Sequence, residues 1–207
     1  MSVTSASQVV DGLYLGNIRD AENHQSLSQN GITHILSVYN NARPVFEDKT
    51  YLCIHAADAS SENLLQHFKE CIRFIHECRL NGGACLVHCL AGVSRSTTMV
   101  VAYLMTVTHY SWEECLTAVK AVRSFVGPNC GFQQQLQEYQ TKQVSEYRAW
   151  LQSSFQPSPF NDPEQVGALL IQYTEQQETQ RRGGDQRWIK QDMDTCSLPS
   201  THPEDSS

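Results

Sequence analysis

A chain of 207 residues, 40% of them apolar, can bury one ordinary core with a short appendage, and two full domains are excluded. The net charge of −7 is lopsided, with 13 acidic and 11 basic residues in 1–150 against 9 and 4 in 151–207, which argues against a nucleic-acid or anionic-lipid partner. No apolar run reaches ~18 residues and no charged-then-apolar leader opens the chain, so the sequence predicts neither a membrane span nor a secretory signal, and points to an intracellular protein.

In chain order, QVVDGLYLGN (8–17) and THILSVYN (33–40) read as strands rich in β-branched and aromatic residues, with a polar helix candidate over 20–31 between them. TYLCIHA (50–56) reads as a further strand. Leu65, Phe68, Ile72 and Ile75 then fall at helical spacing, and Gly82 with Gly83 stops that helix. ACLVH (84–88) is a short, continuous apolar run of the kind buried on both faces of a parallel sheet. The segment 96–107 is apolar nearly all round, which predicts a central helix. Ser111 and Glu114 have capping-box spacing and open the next one, and Phe132, Leu136 and Tyr139 begin a last helix running to about Leu151. This alternation predicts an α/β fold, a mostly parallel central sheet flanked by helices. From residue 156 glutamine, charge, Gly-Gly and Pro/Ser/Thr dominate, so the sequence predicts a folded unit over 1–155 and a flexible acidic tail over 156–207, with a transient helix at most over 164–180.

Eight cysteines (53, 71, 78, 85, 89, 115, 130 and 196) form no C-x-x-C pair and no Cys/His cluster with zinc-site spacing, so no metal is expected. Cys71, Cys78 and Cys115 sit in helical patterns as small buried hydrophobes. Cys89 is different. In VHCLAGVSRST (87–97) a buried strand ends at His88, Cys89 starts a loop and a helix begins near Arg95. Backbone N–H groups in such a turn point inward, and the helix N-terminus adds partial positive charge, so the loop cradles an anion. A thiol there loses its proton readily, and Arg95 can grip two oxygens of a phosphate with its planar fork. The loop is therefore read as a phosphate site with a thiolate aimed at phosphorus. Leu90, Ala91, Gly92, Val93, Ser94 and Arg95 line it, and Ser96, or alternatively Ser94, donates a hydrogen bond to the sulfur. His88 orients the loop rather than exchanging protons.

The stretch HCLAGVSRS resembles the H-C-x5-R-S signature of the cysteine-dependent protein phosphatases. With GLYLGN, THILSV, YLCIHAAD, HFKECIRFIHECRLNGG, TTMVVAYLMT and PNCGF, the resemblance extends over most of 8–150, and is to the small atypical dual-specificity phosphatases. It implies their fold, a catalytic domain over 1–155, and hydrolysis of phosphoproteins through a cysteinyl-phosphate without any cofactor. It further implies that Asp58 is the general acid, with Glu62 the next candidate, and that Asn129 braces the signature loop. The related inositol-lipid phosphatases carry lysines in that loop, whereas Leu90 to Ser94 here are neutral, which favours phosphotyrosine and phosphoserine or phosphothreonine in proteins. The resemblance implies phosphorylated partners, kinases of the Jun N-terminal kinase pathway among them. A phosphoprotein-binding scaffold with little turnover is the rival reading. Relatives carry glycine at position 2 for myristoylation where this chain has Ser2, so no acyl anchor is expected, and the place expected is the cytoplasm with access to the nucleus.

Overall fold

The computed structural model describes residues 5–194, with side chains to residue 184. Ser2 and Cys196 lie outside the described residues. Five strands make one sheet: β1 (Ser7–Val10), β2 (Leu13–Gly16), β3 (Ile32–Val38), β4 (Thr50–Ile54) and β5 (Ala84–His88). Their order is β1-β2-β5-β3-β4, antiparallel between β1 and β2 and parallel elsewhere. The strand expected over 8–17 is thus a hairpin, because Gly12 adopts φ +74°, a left-handed conformation open to glycine at little cost, and turns the chain back after Val10.

β5 is buried at all five positions because both of its faces are covered. Ala84 and Leu86 face a small core with Ala21, Leu27, Ile32 and Ile35, under the short helices α1 (Ile18–Glu22) and α2 (His24–Gln29). Cys85 and Val87 face the main core, built on α3 (Phe68–Leu80), α4 (Arg95–Val107), α5 (Trp112–Val122), α6 (Cys130–Lys142) and α7 (Val144–Ser154). The helix expected over 20–31 divides at Asn23, whose side chain accepts from Ser26 N and caps α2. The last expected helix likewise divides at Gln143. Helix α4 is the central one that its composition requires, buried at every position but Val107. Ser111 and Glu114 close the expected capping box reciprocally, at 3.2 and 2.9 Å.

The expectation of a flexible tail from residue 156 is corrected for its described part. Helix α8 (Asp162–Asp194) packs on α5 and buries Val166 and Leu169 in the main core. Asp162, at its start, takes both Nη atoms of Arg79 on α3 at 3.0 and 2.8 Å, and the pair is sealed from solvent. Burial alone would lower the basicity of Arg79, but the Asp162 carboxylate and the Tyr103 hydroxyl oxygen outweigh it and raise it above its usual range. Phe160 stacks on the guanidinium at 4.1 Å. No helix of the described residues is long and apolar enough to cross a membrane.

Removing one partner of a buried ion pair leaves an uncompensated charge, at a cost of ~3–5 kcal/mol. Asp162→Ala is therefore expected to lower the unfolding free energy, read from a urea titration, by an amount in that range. A loss below about 1 kcal/mol would show that α8 is not held through this pair.

Candidate active site

Strand β5 delivers His88 and Cys89 to the start of the loop, and α4 begins at Arg95, so residues 89–95 curl between a strand end and a helix N-terminus. Gly92 makes the curl possible. It adopts φ +67°, and a Cβ there would fall 2.6 Å from both Gly16 O and Arg123 Nη2. The curl is fastened from outside at several points. Ile18 N donates to Leu90 O at 3.1 Å, Gly127 N donates to Val93 O at 3.0 Å, and Arg123 Nε donates to Gly92 O at 2.9 Å. Sequence reasoning missed Arg123; its signal was a lone arginine in the apolar stretch AVRSFV, at the end of α5.

Cys89 is 1% exposed. Burial pushes its thiol up, yet hydrogen bonds from the Ser96 hydroxyl and from the backbone N–H groups of Ser96, Val93 and Gly92 together outweigh it and hold the thiol below its ordinary pKa. Ser96 Oγ stands 3.1 Å from Sγ and Gly92 N 3.3 Å. Of the two serines considered, Ser96 makes the contact. Ser94 Oγ instead accepts from Asn129 N at 3.0 Å.

Arg95 is buried, with Nη1 donating to Ala56 O at 3.1 Å, while its Nε has no hydrogen-bond partner among the described residues. A buried guanidinium N–H without a partner is costly, and a phosphate oxygen in the loop would satisfy it. Ala56 belongs to the loop after β4 that also carries Asp58, so one arginine ties the anion cradle to the aspartate loop.

Asp58 itself is exposed, and its Oδ1 accepts from Asn129 Nδ2 at 3.0 Å. Asn129 also caps α6, its Oδ1 accepting from Phe132 N at 3.0 Å, so only one orientation of the amide serves both bonds. The expected brace is therefore a junction: through its backbone Asn129 holds Ser94, and through its side chain it holds Asp58. Glu62 is turned to the same loop from within, Oε2 accepting from Ala57 N at 3.2 Å.

His88 is buried, and burial lowers its pKa to about 4, so the ring is neutral near pH 7. Its Nδ1 lies 3.0 Å from Cys89 O, which can only accept, so Nδ1 carries the proton and Nε2 accepts from Ser37 Oγ at 2.7 Å. The histidine is locked to the loop backbone and to β3.

The family model described as the dual specificity phosphatase catalytic domain matches residues 13–142, which include every one of these groups. The chain belongs to that family. Dual specificity protein phosphatase 22-A of Danio rerio is 76% identical over 89% of this chain and 88% of its own length. Dual specificity protein phosphatase 22 of Homo sapiens is 54% identical over 79% and 89%. Among solved structures, DUSP15 superposes with a TM-score of 0.72 at 49% identity, covering 74% of this chain and 99% of that one. This dual-specificity phosphatase is accordingly a hydrolase of phosphorylated proteins. The family-model match ends at Lys142, so α7 and α8 lie outside the residues it matches.

A depressed thiol pKa means that the thiolate persists to lower pH than in an ordinary cysteine. The rate of Cys89 alkylation by iodoacetate should therefore titrate below the usual thiol range, and Ser96→Ala should move the inflection upward. An unchanged inflection in that variant would remove Ser96 from the stabilisation of the sulfur.

Proposed function

We propose that the phosphatase works in two steps through a phosphorylated Cys89. The reading is carried by one observation: a buried cysteine with a lowered pKa faces the Ser96 hydroxyl and the Gly92 N–H, in a loop closed by an arginine whose Nε has no partner among the described residues. In the first step Sγ attacks phosphorus, an S–P bond forms as the P–O bond to the substrate side chain breaks, and Asp58 protonates the departing oxygen. Arg95 and the loop N–H groups hold the equatorial oxygens as charge shifts onto them. In the second step water attacks phosphorus and gives a proton to Asp58, the S–P bond breaks, and Ser96 donates to the sulfur as it leaves. Inorganic phosphate is released. Asn129 keeps Asp58 over the loop throughout, and His88 holds the loop's first carbonyl.

The neutral side chains from Leu90 to Ser94 support phosphoproteins as substrates over multiply phosphorylated lipid headgroups. On the resemblance set out from the sequence, we place kinases of the Jun N-terminal kinase pathway among the partners and the protein in the cytoplasm with access to the nucleus. Capture of phosphoproteins from cell extract by a Cys89→Ser chain tests the partners: recovery of those kinases, lost on adding orthovanadate, supports the assignment, and their absence overturns it.

General acid catalysis is worth about 10²–10⁴-fold. Asp58→Asn is expected to slow hydrolysis of phosphotyrosine and phosphothreonine peptides by that factor, and to slow aryl phosphates with acidic leaving groups much less. An equal loss on both would move the acid elsewhere, to Glu62 first.

A further inference from the structure

Large apolar side chains left in water need a reason when they gather at a site. Among the described residues the exposed ones are Val45, Leu90, Phe125 and Ile171. Leu90 belongs to the phosphate loop and is 48% exposed. Phe125 lies under Arg123, which grips that loop. Val45, 54% exposed, lines a groove of about 760 Å³ between the start of α1 and the segment that follows β3. Ile18, Tyr39 and Pro44 are its other apolar walls. Asn41, at φ +61°, shapes the turn on that side, a conformation asparagine tolerates better than most residues.

Two of the residues that line the groove contact the catalytic loop. Ile18 N donates to Leu90 O, so the groove's near wall is fastened to the loop's exposed leucine. The ring of Tyr39 lies 5.6 Å from that of His88, the residue before the nucleophile. Glu22 and Arg43 bring one charge of each sign, which leaves the groove without a net field toward a strongly acidic or basic ligand. Discrimination then falls to the apolar walls.

We propose that this groove seats the substrate residue one or two places from the phosphorylated one, and that it selects a large apolar side chain there. The occupant is the substrate's own chain, because any peptide delivering a phosphoresidue to Cys89 must leave the cradle across its rim, and on the Leu90 side that rim is bonded to Ile18 of the groove wall. An extended peptide alternates its side chains, so one of those two neighbours points into it. The inference rests on the phosphatase chemistry proposed for Cys89, and deepens it from phosphoproteins in general to those with an apolar neighbour.

Two phosphopeptides that differ only by leucine or serine at those neighbouring positions provide the test, with p-nitrophenyl phosphate as a substrate that has no flanking chain. Small differences in an apolar pocket are worth roughly tenfold or more in kcat/KM. The unaltered chain should prefer the leucine peptide by about tenfold. Val45→Ser should bring that preference close to one, Val45→Ile should retain it, and both should leave p-nitrophenyl phosphate turnover unchanged. Val45 is exposed, so neither substitution touches the core. A flat preference with normal p-nitrophenyl phosphate turnover, or a preference that survives Val45→Ser, would overturn the groove alone. Failure of the unaltered chain to hydrolyse p-nitrophenyl phosphate would overturn the chemistry of Cys89, and the groove's role with it.

Discussion

The sulfur proposed as the nucleophile is enclosed almost completely by protein. Burial favours the protonated thiol, and the rest of the site is an arrangement of donors large enough to reverse that preference. The donors are mostly backbone, which imposes a shape: the loop must turn its N–H groups inward, Gly92 must stand in a left-handed conformation, and no side chain can occupy its place. The same shape that lowers the thiol's pKa turns its N–H groups toward the place a tetrahedral anion would take. Stabilising the nucleophile and binding the substrate are therefore one requirement met by one loop.

Inward-facing amides leave the loop's carbonyls pointing outward, and each needs a partner. Arg123, Ile18 and Gly127 supply them from three separate segments, and His88 supplies the carbonyl of Cys89 itself. Arg95 and Asn129 then carry the order onward to the loop of Asp58. Asp58, the proposed acid, is set in place by the groups that set the cradle, although it lies 31 residues before the cysteine. Beyond the residues that the family model matches, α8 is anchored by a buried ion pair to α3, and Gln172 and Gln176 both donate to Ala121 O at 3.1 Å, two residues before Arg123.

The sequence made Cys89, Arg95 and Ser96 legible because they share one short loop, where spacing along the chain is nearly spacing in space. The central place of α4 was legible for a similar reason, since a helix apolar on every side has no face to give to water. Asp58 and Asn129 were reached by resemblance, and their contact with each other was not visible, because 71 residues separate them and one amide does the work of cap and clamp. Arg123 and Arg79 were missed because a buried arginine reads like any other until its partner is placed. Helix α8 was misread for a related reason. Its apolar positions are diluted by glutamine and charge, and its anchor, Asp162, gains meaning only against Arg79. Strand 8–17 was one run in composition and two in space, divided by a single glycine.

The central claim is that phosphate passes through the sulfur of Cys89. Rapid acid quenching during turnover of a phosphopeptide, followed by proteolysis and mass spectrometry, tests it most directly. The account predicts one added phosphoryl group on the peptide containing Cys89, formed within a single turnover and absent from a Cys89→Ser chain. Full turnover with no phosphorylated Cys89, or a phosphoryl group on any other residue, would contradict it.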